Sequence, residues 1–595
     1  MPRRIAFLAA AILALAAPLV AHGDETPGAS PSAGAETPVP AAGDAALEVL
    51  ATGYYQAEWK FRPSDATGVG IHTYDDQLGP VTPAAIAARD SRLQATLRKL
   101  QSFDRTTLSL DGQADLQILE NAIQENLFWD QQWPTWQRQP SYYTDIASDG
   151  VYRIMSRDFA PLDQRLRSVI AREREIPALL AQGEKNLDVA NTSQVVASIG
   201  QRDAAGAVDF FTDDVPKVFG HAGAAALQSQ FASANAAAVK AFVQYAAFLK
   251  ASVVPRARGS YAIGAANYDR LERLQNVSDI PLARLLAIGE ADLAKNKAAF
   301  VATARQIDAS KTPQQVLGEI RLDHPSNAQL INAAQADLDQ LVSFIKRNGI
   351  IDLPQAPIAK ARATPRFQAQ TSFASMNSPG PLETKATEAY YNVTLVDPQW
   401  SKTQAQEHLE FYNRPSLVII SAHETYPGHY TNYLFNKEHQ LSLIRKIEWN
   451  NAMGEGWAHY DEQMMVDEGL GSGDSRYRLV QLSLALQRDC RYIVGIQEHT
   501  AGMTIDQATA FFMANAYMGR EPSYRESLRG TVDPLYGYYT LGKLMLLKLR
   551  ADYKTQQGAA FKLNAFHDAV LSHGDPPIYF LRKFILGADD AGSLL

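Results

Sequence analysis

The sequence predicts a mainly α protein, and three observations carry that expectation. Apolar residues recur at three- and four-residue spacing, as in Leu116, Leu119, Ile123 and Leu127, the period of a helix that buries one face. Strand-like alternation is scarce. The chain has a single cysteine among 595 residues, so an intrachain disulfide is excluded and stability must come from a large core, which this length permits.

Met1 to Gly23 begins with Arg3 and Arg4, continues through an apolar run from Ile5 to Val20 and ends in Ala21-His22-Gly23. This is the pattern of a secretory signal peptide. The run is too short for a membrane span and no stop-transfer pattern follows. No cysteine lies near the cleavage point, which speaks against lipid anchoring; an uncleaved N-terminal anchor is the alternative. Residues 24–45 are almost all Ala, Pro, Gly, Ser, Thr and acid and read as a disordered linker. The mature protein is thus expected to be exported, periplasmic or secreted, with no stable membrane span. A net charge of −8 without a run of basic residues excludes a nucleic-acid partner, which requires a clustered basic footprint.

From Ala46 the helical pattern persists to about Pro365, with a second stripe at Phe242, Tyr245 and Phe248/Leu249. These stripes read as core. His72, behind the turn Gly68-Val69-Gly70, reads as a satisfied structural histidine, and His221 and His324, beside turn residues, as exposed. The Pro-rich patch I-D-L-P-Q-A-P-I-A-K-A-R-A-T-P from Ile351 marks the expected boundary between an N-terminal helical lobe, 46–365, and a catalytic lobe, 366–595.

The second lobe opens with S-F-A-S-M-N-S-P-G-P-L-E, which is loop-like, and then Ala389 to Val396, β-branched and aromatic without helical period. A strand is expected here, either pairing with an extended substrate or serving as a plain buttress. A short helix at Ala405–Asn413 and the apolar approach Leu417–Ile420 lead into S-A-H-E-T-Y-P-G-H-Y from Ser421. Six of the twelve histidines fall between 408 and 499, which suggests a metal. Zinc hydrolases place H-E-x-x-H on a helix, with the glutamate as base. Here His423 and His429 are six apart, and a regular helix would leave them about 120° and about 9 Å apart. Pro427 has no N–H for the His423 carbonyl, and Gly428 adopts angles closed to other residues. The segment Tyr426-Pro427-Gly428 is therefore expected to loop out and return His429 to the side of His423.

A second block, E-G-W-A-H-Y-D-E from Glu455, supplies a third ligand. Gly456 and Ala458 are small enough for a second helix to approach the first closely. His423, His429 and Glu455 would hold one Zn2+ per chain, with a fourth position for water, the arrangement of a catalytic rather than structural site. Glu424 is the base. Glu462, seven residues past Glu455, is an alternative ligand or a partner to a ligand histidine.

The paired motif resembles a bacterial family catalogued as domain of unknown function 885 and regarded as zinc peptidase-like, with a fold akin to thimet oligopeptidase and the angiotensin-converting enzyme. Looser matches begin at Arg62, Ile176 and Phe566, so the resemblance covers nearly the whole mature chain. It implies a two-lobed helical body with a central cleft and a small β element near the active site. Arg491 and His499 match the family pattern, whereas Gly495 and Gln497 replace its Asp and Gly. His499 is then either a donor to oxyanion or substrate, or a satisfied structural histidine. Tyr539 and Gly542 match, but a family Gln is lost beside Pro534 and Leu535. Tyr539 is the first choice of oxyanion donor, with Tyr538 and Tyr536 adjacent. Arg525 and Arg529 bind a substrate carboxylate or complete surface ion pairs.

The expected function is a zinc-dependent metallopeptidase that hydrolyses short peptides through an activated water. Glu424 is the general base, and Tyr539 and His499 are the oxyanion donors. A zinc amidohydrolase or isopeptidase acting on non-standard amides is one alternative; a non-catalytic peptide-binding protein is another. Nucleophilic catalysis by a side chain is disfavoured: no G-x-S-x-G elbow occurs, and Cys490 lies in an apolar helical stretch.

Overall fold

The computed structural model describes residues 42–364, 372–587 and 594–595. The expected signal peptide and most of the expected linker lie outside these residues; the first helix, Ala42–Phe61, begins inside the linker's last four positions.

Helices dominate, as the apolar spacing predicts, and they are accompanied by one three-stranded sheet. Leu116, Leu119 and Ile123 are fully buried on the Leu110–Leu127 helix. Phe242 and Tyr245 are buried on Ala225–Phe248. Among the described residues no helix is long and apolar enough to cross a membrane. Cys490 is buried, and burial pushes its thiol well above the usual range.

Three apolar cores organise the chain. One gathers residues from Leu47 to Leu127 with Leu443, Ile444 and Ile447; a second runs from Leu78 to Ala257. The third and largest joins Ile263–Ile351 to nearly everything after it. The expected boundary at 365 is therefore not a division of the core. Strand β1 (Lys360–Ala363), before it, pairs in parallel with β3 (Tyr390–Val393), after it. The Pro-rich stretch reads as a linker because prolines break helices, yet its end serves as a sheet strand. Farther up the chain, the Leu282–Ile307 helix packs on Ser475–Thr500. Gly289 faces the Tyr492 ring so closely that a Cβ there would lie 2.2 Å from it, and Asn296 donates to Asp489 at 2.7 Å.

The sheet order is β1-β3-β2, with β2 (Ala374–Asn377) antiparallel to β3. The strand expected at Ala389–Val396 thus exists, but it is central, and neither of its edges is open to a substrate. The edge nearest the histidine motif is β2, in the segment expected to be loop.

Candidate metal centre

Four helices carry the site. Arg414–Glu424 is capped by Asn413, whose side chain accepts from the Ser416 N–H at 3.1 Å, with Pro415 in its first turn. It ends at Glu424. The chain then turns through Thr425–Gly428 and resumes as His429–Glu438. The turn bonds across itself: Gly428 N–H donates to the Ala422 carbonyl at 3.0 Å and Thr431 N–H to the Thr425 carbonyl at 3.1 Å. A Cβ on Gly428 would sit 1.8 Å from the His423 carbonyl oxygen, so this approach admits only glycine. Trp457 donates to the Pro427 carbonyl at 2.9 Å and pins the loop from the neighbouring helix. The outcome is the one expected: the two imidazole rings lie 4.9 Å apart, nearly perpendicular.

Glu455 comes from Asn451–Asp467, whose cap is Asn450. Its Oε2 lies 3.5 Å from His423 Nε2 and 3.3 Å from His429 Nε2, and donor atoms of the three residues all fall within 4.8 Å of one another. Gly456, however, does not serve the approach to the His423 helix. It faces the fourth helix, Tyr538–Gln557, where its Cβ would meet Gly542 Cα at 2.5 Å, while a Cβ on Gly542 would meet the Ala452 carbonyl at 1.7 Å. This glycine-on-glycine crossing brings Tyr539 to the centre, its ring stacked 6.3 Å from that of His423.

Glu462 accepts from His423 Nδ1 at 2.8 Å and from Arg488 Nη2 at 2.9 Å. It is thus a partner to a candidate ligand, and it fixes the tautomer that turns Nε2 toward Glu455. Burial disfavours a charged His423, but the neighbouring carboxylates of Glu455 and Glu462 outweigh it and push the ring up to about 10. Burial likewise opposes ionising Glu455, yet the imidazoles of His429 and His423 hold its carboxyl well below the usual range. Two imidazole nitrogens and one carboxylate oxygen converge here, and this N2O donor set fits zinc.

Glu424, next to His423, is 9% exposed, and its Oε2 accepts from the Met376 N–H of β2 at 2.7 Å. Among the described residues no group donates to its other oxygen.

His499 is not part of this centre. Its Nδ1 accepts from the Ile263 N–H at 3.3 Å, and its Nε2 donates to the Gly530 carbonyl at 2.8 Å. Both nitrogens are committed to backbone, and burial pushes the ring down to about 4. It pins three chain segments together and has no nitrogen left for an oxyanion. The other histidines of the 408–499 concentration are also structural: His408 bonds the Thr394 carbonyl, His439 the Phe435 carbonyl, and His459 is buried beside Glu462. Outside it, His221 is exposed, and His324 is half-buried between the Pro325 carbonyl and Gln406. Of the three tyrosines, Tyr539 lies on His423; Tyr538 bonds Asp533 and Arg529, and Tyr536 is fully buried. Arg525 pairs with Glu521 on the surface, whereas Arg529 reaches Tyr539. The Gly495 departure is a packing change, since a Cβ there would meet the Pro534 carbonyl at 3.0 Å and Tyr536 at 3.1 Å.

Two contributions to the centre are invisible to motif reasoning: the Met376 amide and Arg488. The first is a backbone group on a four-residue strand, and the second lies 26 positions beyond Glu462 with no motif around it.

A mainly helical chain with a buried two-histidine, one-carboxylate cluster beside a second carboxylate defines the class. The profile of the family described as "Bacterial protein of unknown function (DUF885)" matches residues 63–585, and the chain belongs to that family. Two solved structures share the fold. One is a candidate lipoprotein of unknown function from Shewanella oneidensis, with TM-score 0.76 and 26% identity, covering 91% of this chain and 99% of that one. The other is a candidate lipoprotein from Colwellia psychrerythraea, with TM-score 0.72 and 17% identity, covering 92% and 99%. No curated protein matches the chain.

Proposed function

We propose that the protein is an exported zinc-dependent peptidase acting on short peptides, in the periplasm or outside the cell. The observation that supports this most is the convergence of His423, His429 and Glu455 within 4.8 Å, with the Glu424 carboxylate beside them. The sequence of the first 23 residues and the description of both solved relatives as candidate lipoproteins support export.

Zinc held by the three residues would supply a Lewis acid and a water acidified to a pKa of about 7. The chain supplies the rest. Glu424 is anchored through Oε2, which leaves Oε1 to take a proton from the attacking water and pass it to the leaving nitrogen. Tyr539 donates its hydroxyl to the developing oxyanion. Glu462 keeps His423 in its ligand tautomer. Strand β2 is a sheet edge whose Met376 N–H turns outward to Glu424, and an extended peptide pairing along that edge would carry its backbone past the base.

The test is a digest of a mixed peptide library by wild type, Glu424→Gln and a chelated sample, followed by mass spectrometry. Products from wild type alone are expected. One zinc per chain without turnover by any sample would make the protein a peptide-binding relative of an enzyme. Turnover confined to isopeptide or N-acyl amide bonds would make it an amidohydrolase.

A further inference from the structure

Three guanidinium groups surround the Tyr539 ring: Arg491 at 5.1 Å, and Arg488 and Arg529 at 5.8 Å each. They are not equally occupied. Arg491 makes a two-pronged pair with Glu526 at 2.6 and 2.7 Å. Arg488 bonds Glu462 at 2.9 Å and the Leu484 carbonyl at 3.3 Å. Arg529 is held loosely. Its Nε and Nη2 reach Asp533 at 3.4 and 3.3 Å, and Nη2 touches the Tyr538 and Tyr539 hydroxyls at 3.0 and 3.4 Å. No described residue accepts from its Nη1. Its side chain is one-fifth exposed, so it is not sealed off from solvent. Arg525, one turn earlier, is the contrast: 59% exposed and paired with Glu521, it is a surface residue.

We propose that Arg529 binds the C-terminal carboxylate of the substrate, so that the protein removes one or two residues from the carboxyl end of a peptide; this rests on the peptidase reading above. A planar guanidinium with an uncommitted edge matches a carboxylate in two-pronged geometry. The spacing fits. Arg529 is 5.8 Å from the Tyr539 ring, which lies 6.3 Å from His423. These two legs place the guanidinium within about 12 Å of His423. A two-pronged guanidinium–carboxylate pair takes up about 4 Å and two residues of extended peptide roughly 7 Å, so a carboxylate at Arg529 leaves the last or next-to-last peptide bond near the centre. The two neighbouring arginines, already neutralised by Glu526 and Glu462, hold Tyr539 from its other sides and leave this role to Arg529.

The test uses the zinc-loaded full chain and one pool of N-acetylated hexapeptides, prepared as free acids and as C-terminal amides. The ratio of kcat/KM for acid over amide is expected to be roughly 10 to 100 in wild type, the worth of a hydrogen bond to a charged group, with products shortened by one or two residues. Arg529→Gln should bring the ratio near one, Arg529→Lys should retain part of it, and Arg525→Gln should leave it in place. A wild-type ratio near one, or internal cleavage of the amides at the same rate, overturns the proposal. So does an Arg529→Gln protein that loses acid and amide turnover equally while folded, because Arg529 then acts through Tyr539. Binding of the same two pools to Glu424→Gln, followed by fluorescence anisotropy of labelled members, separates this inference from the one beneath it. If no peptide is hydrolysed but acids bind tenfold or more tighter through Arg529, the carboxylate site stands and the peptidase reading falls. Equal binding with no hydrolysis removes both.

Discussion

His72 and His423 are both imidazoles set between two carboxylates, but they use their nitrogens differently. His72 bonds Asp75 through Nδ1 at 2.9 Å and Glu383 through Nε2 at 3.0 Å, and it stacks on Phe159 at 3.7 Å. Each nitrogen has its own oxygen at ordinary hydrogen-bond length, and Glu383 closes the arrangement by accepting from the Lys385 and Ala386 amides. His423 is closed on one side alone, through Glu462. Its Nε2 shares a Glu455 oxygen with His429 Nε2 at 3.5 and 3.3 Å, beyond the usual hydrogen-bond range. Partners matched one to one hold segments of a fold together. Donors that converge on one shared point without one-to-one partners are the arrangement that a bound ion would need.

If that distinction holds, the largest effect should come from breaking the convergence. His429→Ala should lower zinc affinity by more than about a hundredfold and abolish peptide turnover, measured as bound zinc per chain after gel filtration. His72→Gln should leave zinc content at one per chain. Loss of zinc from the His72 variant would erase the contrast. Glu424→Gln comes next: turnover falls by about 10² to 10⁴ while zinc stays bound, and a variant with near wild-type kcat would remove Glu424 as the base.

Tyr539→Phe should lower kcat by about a hundredfold with little change in KM, the signature of a donor used in the transition state. Tyr538→Phe, whose hydroxyl is taken by Asp533 and Arg529, should cost less. The reverse order would mean that Tyr538 donates to the oxyanion, with Tyr539 merely packing His423.

The histidine pair of the candidate centre was legible in the sequence because it is local. Two histidines and the Glu424 carboxylate lie within seven residues, and Pro427-Gly428 announces the kink that reconciles their spacing. What was not legible depends on backbone groups from far away. His499 has the residue type of a catalytic donor, and nothing nearby reveals that the Ile263 amide and the Gly530 carbonyl occupy both nitrogens. Gly456 advertises a close approach without saying to which helix, and the answer is Gly542, 86 positions on. Strand β2 has four residues flanked by Ser, Pro and Gly, too short a run for alternation to register. The helical fold class, by contrast, follows from many repeated stripes, so that no single residue decides it.

The smallest effect concerns the clamp itself. His72 ties the Gly68–Gly70 turn to the loop between β2 and β3, and Arg157 ties the same loop by donating to the Glu388 and Asn377 carbonyls at 2.6 and 2.7 Å. Burial opposes charge on His72, but hydrogen bonds to Asp75 and Glu383 prevail and raise it to about 9. Burial also opposes ionised Glu383, yet His72 and the two amides lower it to about 2. A raised imidazole stabilises fully below its unfolded value of about 6.5 and loses that contribution as pH rises through about 9. A lowered carboxyl contributes above about 4.5 and loses it as pH falls through about 2. The two shifts share the His72–Glu383 pair, strongest from about pH 4.5 to 6.5 and worth about 1–3 kcal/mol. Hydrogen exchange of the 378–389 loop, corrected for intrinsic rate, should therefore accelerate between pH 7 and 10 in wild type, and a His72→Gln protein should show the faster exchange already at pH 6. Because β2 carries the Met376 amide that anchors Glu424, turnover should decline over the same range by a few-fold. An exchange profile flat with pH would show that Arg157 and the Gly68–Gly70 packing hold the loop without the charge, and the pairing at His72 would then differ from that at His423 in geometry but not in consequence.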